Sequence, residues 1–236
     1  MKTALHKAET RGRANHGWLD SHHTFSFAGY HDPSRMNFGL LRVLNDDIVK
    51  GGMGFGQHPH DNMEIISIPL RGALEHGDNT GGHAIIKSGE VQIMSAGSGL
   101  AHSEKNASPT DDVNFLQIWV FPKERNIEPR YEQKMFSKAD RMNTIQTVVS
   151  PGKENGALWI NQDAWFHLTD LKKGSKVEYQ LHGKQSGVYV FVLEGNVTAG
   201  GQALNRRDGV GISETEKIEI SADNDAEVLI MEVPMN

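Results

Sequence analysis

Short apolar runs, rather than long helical repeats, dominate the pattern of hydrophobic and polar positions along this chain. The runs are rich in Val, Ile, Leu and Phe, and glycine or Asx residues separate one run from the next. Short strands separated by turn residues at regular spacing are typical of an all-β sandwich or barrel. The predicted strands include Leu40–Ile48, Met63–Leu70, Glu90–Met94, Phe115–Phe121, Lys176–Leu181, Val188–Leu193, Lys217–Ile220 and Glu227–Val233.

The order of the runs suggests that one unit occurs twice. Leu70-Arg71-Gly72 ends one run and Leu193-Glu194-Gly195 ends another. Each is followed by a short run, a turn and then Gly89 or Gly209. Such self-similarity is typical of two copies of one barrel unit, although Leu-x-Gly is also a common way for a strand to end.

The stretch Glu124–Asn155 would join the two copies. It contains Pro129 and Pro151 and has mixed polarity. Within it, Glu132–Arg141 is the best candidate for a short helix or an irregular connection. We predict an N-terminal domain over residues 1–130 and a C-terminal domain over residues 131–236.

Length and composition agree with two globular domains. The chain has 236 residues, of which 37% are hydrophobic and 23% charged, and one domain usually takes about 100–150 residues. No run approaches the roughly 20 apolar residues that span a bilayer. No apolar signal core follows the basic residue near the N-terminus. We therefore expect a cytoplasmic protein that does not engage a membrane.

The absence of cysteine and the net charge exclude further classes. Without cysteine the chain has no disulfide, zinc–thiolate site, iron–sulfur cluster or cysteine nucleophile. The formal net charge is −6, with acidic and basic residues mixed along the chain. Because nucleic-acid binding depends on neutralising phosphates, we expect no direct contact with nucleic acid.

Two histidines lie two residues apart in the glycine-rich segment Gly52–Glu64. That spacing puts His58 and His60 on the same face of a strand, where both imidazoles can meet one ion. Glu64 has the same parity and is a further candidate ligand. A single His-x-His pair could still be chance, since the chain holds twelve histidines.

A second pair, His102 and Glu104, repeats the spacing after another glycine-rich stretch. If the two segments face each other inside a barrel, three imidazoles and one carboxylate converge. Two such pairs are much less expected by chance than one. We therefore predict a metal site, with Glu64 and Glu104 both open as its carboxylate.

These segments resemble the two cupin motifs, and in combination they resemble the bacterial branch of the pirin family. The likeness covers the whole chain and is strongest over residues 12–135. It is carried by Gly17–Phe27, His58-Pro59-His60, Met94–Gly99, His102-Ser103-Glu104 and Gln117-Ile118-Trp119.

The resemblance implies a bicupin fold: two β-barrels of the double-stranded β-helix or jelly-roll type, with one metal in the N-terminal barrel. It implies the ligands His58, His60, His102 and Glu104. Cupins in general use the Glu of the first motif, here Glu64, whereas pirins use the Glu of the second. We follow the pirin pattern and keep Glu64 as a residue beside the site or as the alternative ligand.

The second half is predicted to hold no metal. After His102 the only histidines are His167 and His182, and they form no His-x-His pair. A structural or substrate-lining role is the expectation for His182.

Some residues of the first half are interpreted as structural. His76 and His83 flank the turn over residues 77–82 and are interpreted as solvent-facing hairpin residues. Trp119 is interpreted as a core or domain-interface residue rather than as a platform for a substrate.

Three imidazoles and one carboxylate suit one divalent transition metal: Fe, Ni, Cu, Mn, Co or Zn. Affinity alone does not choose among these metals. Four protein ligands leave one or two coordination positions open, which a catalytic metal requires. Glu104 is also the candidate catalytic base.

The resemblance implies a metal-dependent dioxygenase that uses dioxygen to open the heterocycle of a flavonol such as quercetin and releases carbon monoxide. The alternative is a redox-responsive regulatory protein, in which a transcription factor or metabolic enzyme reads the state of the metal. A metal-dependent isomerase is a third hypothesis. An open, apolar-lined channel to the metal would favour the dioxygenase, and a sealed barrel mouth would favour the regulator.

Overall fold

The computed structural model describes all 236 residues, which form 22 strands and three 3-10 helices. No helix in it has the length and apolar character needed to cross a membrane. The first twelve strands are β1 Lys2–His6, β2 Gly12–Asn15, β3 Leu19–His23, β4 Leu41–Val49, β5 Gly54–His60, β6 Glu64–Arg71, β7 Ala73–Asp78, β8 His83–Lys87, β9 Glu90–Ser95, β10 Leu100–Asn106, β11 Val113–Val120 and β12 Arg130–Met135. The other ten are β13 Gln146–Ser150, β14 Leu158–Trp159, β15 Trp165–Leu171, β16 Lys176–Gln180, β17 Ser186–Glu194, β18 Val197–Ala199, β19 Gln202–Leu204, β20 Gly209–Ser213, β21 Lys217–Ala222 and β22 Ala226–Pro234. The 3-10 helices are Ala8–Thr10, Lys138–Arg141 and Glu154–Gly156.

The strands confirm the all-β prediction. Each of the eight predicted runs coincides with a strand to within two residues at either end. The expectation of a short helix or an irregular connection over Glu132–Arg141 was wrong for its first four residues, which belong to β12. Strand β12 is an edge strand with polar, partly exposed side chains, so no apolar alternation marks it in the sequence.

The two halves repeat one strand order. In the first unit the seven-stranded sheet runs β12-β9-β6-β11-β4-β3-β2 and the four-stranded sheet runs β5-β10-β7-β8. In the second unit the sheets run β1-β20-β17-β22-β15-β13-β14 and β16-β21-β18-β19. Strands β4 to β11 therefore correspond one by one to β15 to β22, as expected for two jelly-roll units in one chain.

Two edge strands lie outside a simple division of the chain. Strand β1, at the N-terminus, pairs with β20 of the second unit, whereas β12 pairs with β9 of the first. The predicted domain boundary after residue 130 stays a prediction. Strand β1 and most of β12 lie on the opposite side of it from the unit that they join.

The two large sheets pack against each other. Along β11, Leu116, Ile118 and Val120 belong to a cluster of 25 buried apolar residues drawn from both units. The alternate residues Gln117 and Trp119 face the other way, towards the four-stranded sheet of the first unit, as the two-residue period of a strand requires. The space between the two sheets of the first unit therefore holds the candidate site.

Candidate metal centre

The structure brings together three of the four predicted ligands. His58 on β5 lies directly opposite His102 on β10 in the antiparallel register, and His60 lies two residues further along β5. The ring centroids are 4.6 Å apart for His58 and His102, 5.0 Å for His60 and His102, and 4.8 Å for His58 and His60. One ligand atom from each imidazole lies within 4.8 Å of the other two.

A β-bulge shapes this cluster. Three residues of β5 span the distance that two residues of β10 cover, because the register shifts between His102 and Glu104. The bulge exposes the Gly56 carbonyl, which accepts a hydrogen bond from His58 Nδ1 at 2.8 Å. Bulges recur beside functional sites because they re-aim a side chain. Gly54 is required for close approach, since a Cβ there would lie 2.4 Å from the Lys105 Cα atom.

The ring nitrogens have the lone pairs that a metal needs. Since a carbonyl only accepts, His58 carries its proton on Nδ1 and leaves Nε2 with a lone pair. His60 Nε2 and His102 Nε2 are buried and have no hydrogen-bond partner. Burial, together with the neighbouring histidines, lowers the pKa of His60 to about 4 and that of His102 to about 3. Neutral imidazoles with orphaned nitrogens fit a bound cation.

Glu104 lies behind the three histidines. Its buried carboxylate accepts hydrogen bonds from Ser67 Oγ at 2.9 Å, from Gln117 Nε2 at 2.5 Å and from Gln92 Nε2 at 3.4 Å. Its oxygens are not in the group of ligand atoms that converge within 4.8 Å. Ligation by Glu104 therefore stays a prediction.

Glu64 makes its hydrogen bonds away from the histidines. Its Oε2 atom accepts from Ser95 Oγ at 2.8 Å and from the Asn161 backbone N–H at 3.1 Å. Burial raises the pKa of this carboxyl group. Glu64 thus ties the first unit to the loop before β15.

The interpretation of His76 as solvent-facing was wrong. Its side chain is 1% exposed; Nε2 lies 3.0 Å from Asp78 Oδ2 and Nδ1 lies 3.5 Å from His102 Nδ1. His83, on the same hairpin, is exposed as expected and pairs with Glu75. The alternation along β7, which buries Leu74 and His76, is the signal that identifies His76 as an inward residue.

Trp119 borders the histidine cluster and packs against a small group of buried apolar residues, which agrees with its interpretation as a core residue. Its indole contacts His60 edge-to-face at 5.0 Å and Phe27 at 5.4 Å, and its buried Nε1 has no hydrogen-bond partner. Met63, Tyr131 and Leu100 belong to the same apolar group.

The histidines of the second unit contact protein groups. His167 Nε2 lies 2.9 Å from Tyr179 Oη. His182 Nδ1 lies 2.9 Å from Glu232 Oε2, and its ring stacks on Trp165 at 4.2 Å. That this unit binds no metal stays a prediction.

Comparison with known proteins agrees with the fold. A family model described as Pirin matches residues 5–120, and one described as Quercetinase C-terminal cupin domain matches residues 147–233. The chain is 45% identical over 230 residues to "Quercetin 2,3-dioxygenase" of Escherichia coli strain K12, covering 98% of each chain. It is 42% identical over 222 residues to "Pirin-like protein" of Caulobacter vibrioides, covering 94% of this chain and 95% of the other.

Solved structures give the same result. The crystal structure of the bacterial pirin YhhW from Escherichia coli, in complex with nickel(II), superposes with a TM-score of 0.94, at 44% identity and over 99% of each chain. A quercetin 2,3-dioxygenase from Acinetobacter baumannii, at 20% identity, shares the fold with a TM-score of 0.79. On its sequence, its repeated jelly-roll units and these full-length matches, the chain belongs to the pirin family of bicupin proteins.

Proposed function

We propose that this protein is a metal-dependent dioxygenase of the cupin type, which opens the heterocycle of a flavonol such as quercetin. The observation that carries the proposal is the convergence of three imidazoles, two of which hold buried nitrogens without a partner. Relatives at 45% identity that carry the name quercetin 2,3-dioxygenase support the choice of reaction.

His58, His60 and His102 would hold one divalent transition metal, with Glu104 as the fourth ligand. A metal bound there would supply Lewis acidity and open positions for an oxygen-bearing substrate and for dioxygen. Nickel(II) is the ion in the related Escherichia coli structure. Nitrogen and oxygen ligands of this type also suit Fe, Cu, Mn, Co or Zn.

Residues around the cluster fit a flat aromatic substrate. His58 and His60 are half-buried on the edge strand β5, so a small molecule can approach the cluster from solvent. Trp119 borders the cluster at His60, and Phe27 packs on the far side of that contact, against Trp119. Trp119, backed by Phe27, would orient the flavonol rings and exclude water, while Glu104 would accept the proton of the enolic hydroxyl group.

The first experiment measures the metal content of the purified, untagged protein by elemental mass spectrometry. The wild type should hold about one equivalent per chain, as one centre requires. The His58→Ala/His102→Ala variant should hold none, whereas His83→Ala should match the wild type because His83 is exposed and lies outside the cluster. The same samples are then given quercetin with and without dioxygen, and carbon monoxide release is measured.

Metal retained equally by the double variant would overturn the site. Metal lost in the variant, but no dioxygen-dependent loss of quercetin in the loaded wild type, would overturn the dioxygenase and leave the regulatory hypothesis. No observation of this structure favours a protein partner over a substrate, so that alternative stays a prediction.

A further inference from the structure

A buried chain of polar side chains leads away from His102. His76 on β7 pairs in register with Glu104 on β10, and Asp78 pairs with His102. The side chains of His76 and Asp78 are each 1% exposed, and His102 is fully buried. The order of contacts is Asp78 Oδ2 to His76 Nε2 at 3.0 Å, then His76 Nδ1 to His102 Nδ1 at 3.5 Å.

The hairpin turn after β7 fixes the outer end of this chain. Asp78 Oδ1 accepts hydrogen bonds from the Thr80 backbone N–H at 2.8 Å, from Thr80 Oγ1 at 2.6 Å and from the Gly82 backbone N–H at 3.0 Å. These three donors all reach one carboxylate oxygen, which leaves Oδ2 facing His76. The carboxylate therefore acts only as an acceptor, held in place by the turn.

Since Asp78 can only accept, it determines which ring nitrogens of His76 and His102 carry an N–H. Because Asp78 accepts, His76 presents an N–H at Nε2, which leaves the Nδ1 lone pair of His76 facing His102 Nδ1. That lone pair can only accept, so His102 carries its proton on Nδ1. His102 Nε2 is then the free lone pair, and it is one of the buried nitrogens without a partner. Tyr131 packs on the His76 ring at 4.5 Å and holds its plane.

We infer that Asp78 and His76 are positioning residues, which set the tautomer and orientation of His102 for metal binding. The inference rests on the proposed metal site. His58 obtains the same tautomer from the Gly56 carbonyl, a backbone group. His102 obtains it from a side-chain relay, which a single substitution can remove. Partners of this kind raise metal affinity about 10–100-fold, and the long 3.5 Å contact places the expected effect near the lower end.

The test measures the apparent Kd for Ni²⁺ by competition with a chromophoric chelator at fixed pH. His76→Phe fills the space but offers no acceptor, and it should weaken binding about 10-fold. His76→Asn places an amide oxygen at the position of His76 Nδ1, facing His102 Nδ1, and should recover most of that loss. His83→Phe alters an exposed histidine of the same hairpin and should bind as the wild type does.

A second measurement needs neither metal nor a substitution. Imidazole ¹⁵N shifts of the metal-free wild type report the tautomer of His102, and the Nδ1–H form is expected. The Nε2–H form would overturn the inference, as would a His76→Phe variant with wild-type affinity or a His76→Asn variant as weak as His76→Phe. A wild type that binds no Ni²⁺ would overturn the proposed metal site, and this inference with it.

Discussion

Where β5 meets β10 in the first unit, His58 lies opposite His102; at the equivalent place in the second unit, Tyr179 of β16 lies opposite Ile218 of β21. The equivalence is found by aligning the Leu-x-Gly that ends β6 with the one that ends β17. The alignment is then carried from β7 and β18 to β10 and β21 through the strand pairings. By the same count, Glu104 corresponds to Ile220. Equivalent strand positions thus hold the candidate metal ligands in one unit, and a tyrosine and two isoleucines in the other.

The layer behind these residues differs in the same way. In the first unit Ser67 pairs in register with Gln92 and Gln117, which all bond around Glu104. The equivalent residues of the second unit are Val190, Val210 and Ile230. They belong to one cluster of 18 buried apolar residues, whereas the first unit has separate clusters of six and three.

This contrast shows how one fold serves two purposes. Burying apolar side chains is the main favourable contribution to folding, and the first unit has replaced part of that burial with a hydrogen-bonded polar lining. The second unit keeps a larger apolar interior, a single cluster of 18 residues beside the buried polar group of His167, Tyr179 and Glu232, and it packs its large sheet on the first. We infer that the second unit contributes stability while the first holds the chemistry.

The largest effect on the free energy of unfolding is expected from placing a polar residue in the interior of the second unit. Val190→Ser removes two methyl groups from a fully buried site and buries a hydroxyl group there, at a cost of roughly 3–4 kcal/mol. The matched reverse change, Ser67→Val, keeps the contacts of Gln92 and Gln117 with Glu104 but removes the hydroxyl that all three bond, and should cost about 1–3 kcal/mol. Denaturant titration of both variants measures the difference. A greater loss for Ser67→Val would contradict the assignment of stability to the second unit.

Metal binding should stabilise the first unit and leave the second unit unchanged. Ni²⁺ at about 100 times its Kd adds about 2.7 kcal/mol of stability to the state that binds it. Hydrogen exchange followed by mass spectrometry should therefore slow in peptides that cover β5 and β10. Peptides covering β16 and β21 should exchange as in the metal-free protein. Equal slowing in both units would mean that they open together and would contradict separate roles.

Sequence alone was sufficient where the information is local. The apolar runs predicted eight strands, and the two-residue spacing of His58 and His60 predicted a shared face. Sequence alone was insufficient where the pairing of strands that are distant in the chain decides which side chains meet. His76 lies beside a Gly/Asp turn, which suggests exposure, and only the pairing of β7 with β10 shows that it reaches His102.

The layer around Glu104 was not predicted for the same reason. Ser67, Gln92 and Gln117 come from three strands, and no motif links them. Nor does any pattern indicate that β1 crosses to the sheet of the second unit. Such features depend on which strands become neighbours, and that is a property of the folded chain.

The smallest of these effects concerns His167, a buried histidine of the second unit that contacts Tyr179 and Thr147. Burial, with the nearby His182, lowers its pKa to about 3. In the unfolded chain a histidine has a pKa near 6.5 and binds a proton below it, so the folded state loses stability as the pH falls through that value. Between pH 7 and pH 5 the contribution of His167 to this loss should be about 2 kcal/mol, in addition to the contributions of the other buried histidines, His60 and His102 among them. Denaturant titrations of the metal-free protein measure it. His167→Gln should reduce the total loss by about 2 kcal/mol, while His16→Gln, at an exposed histidine of the first unit, should leave it unchanged. If the stability of His167→Gln changed with pH as much as that of the wild type, the interior of the second unit would not be holding this imidazole neutral.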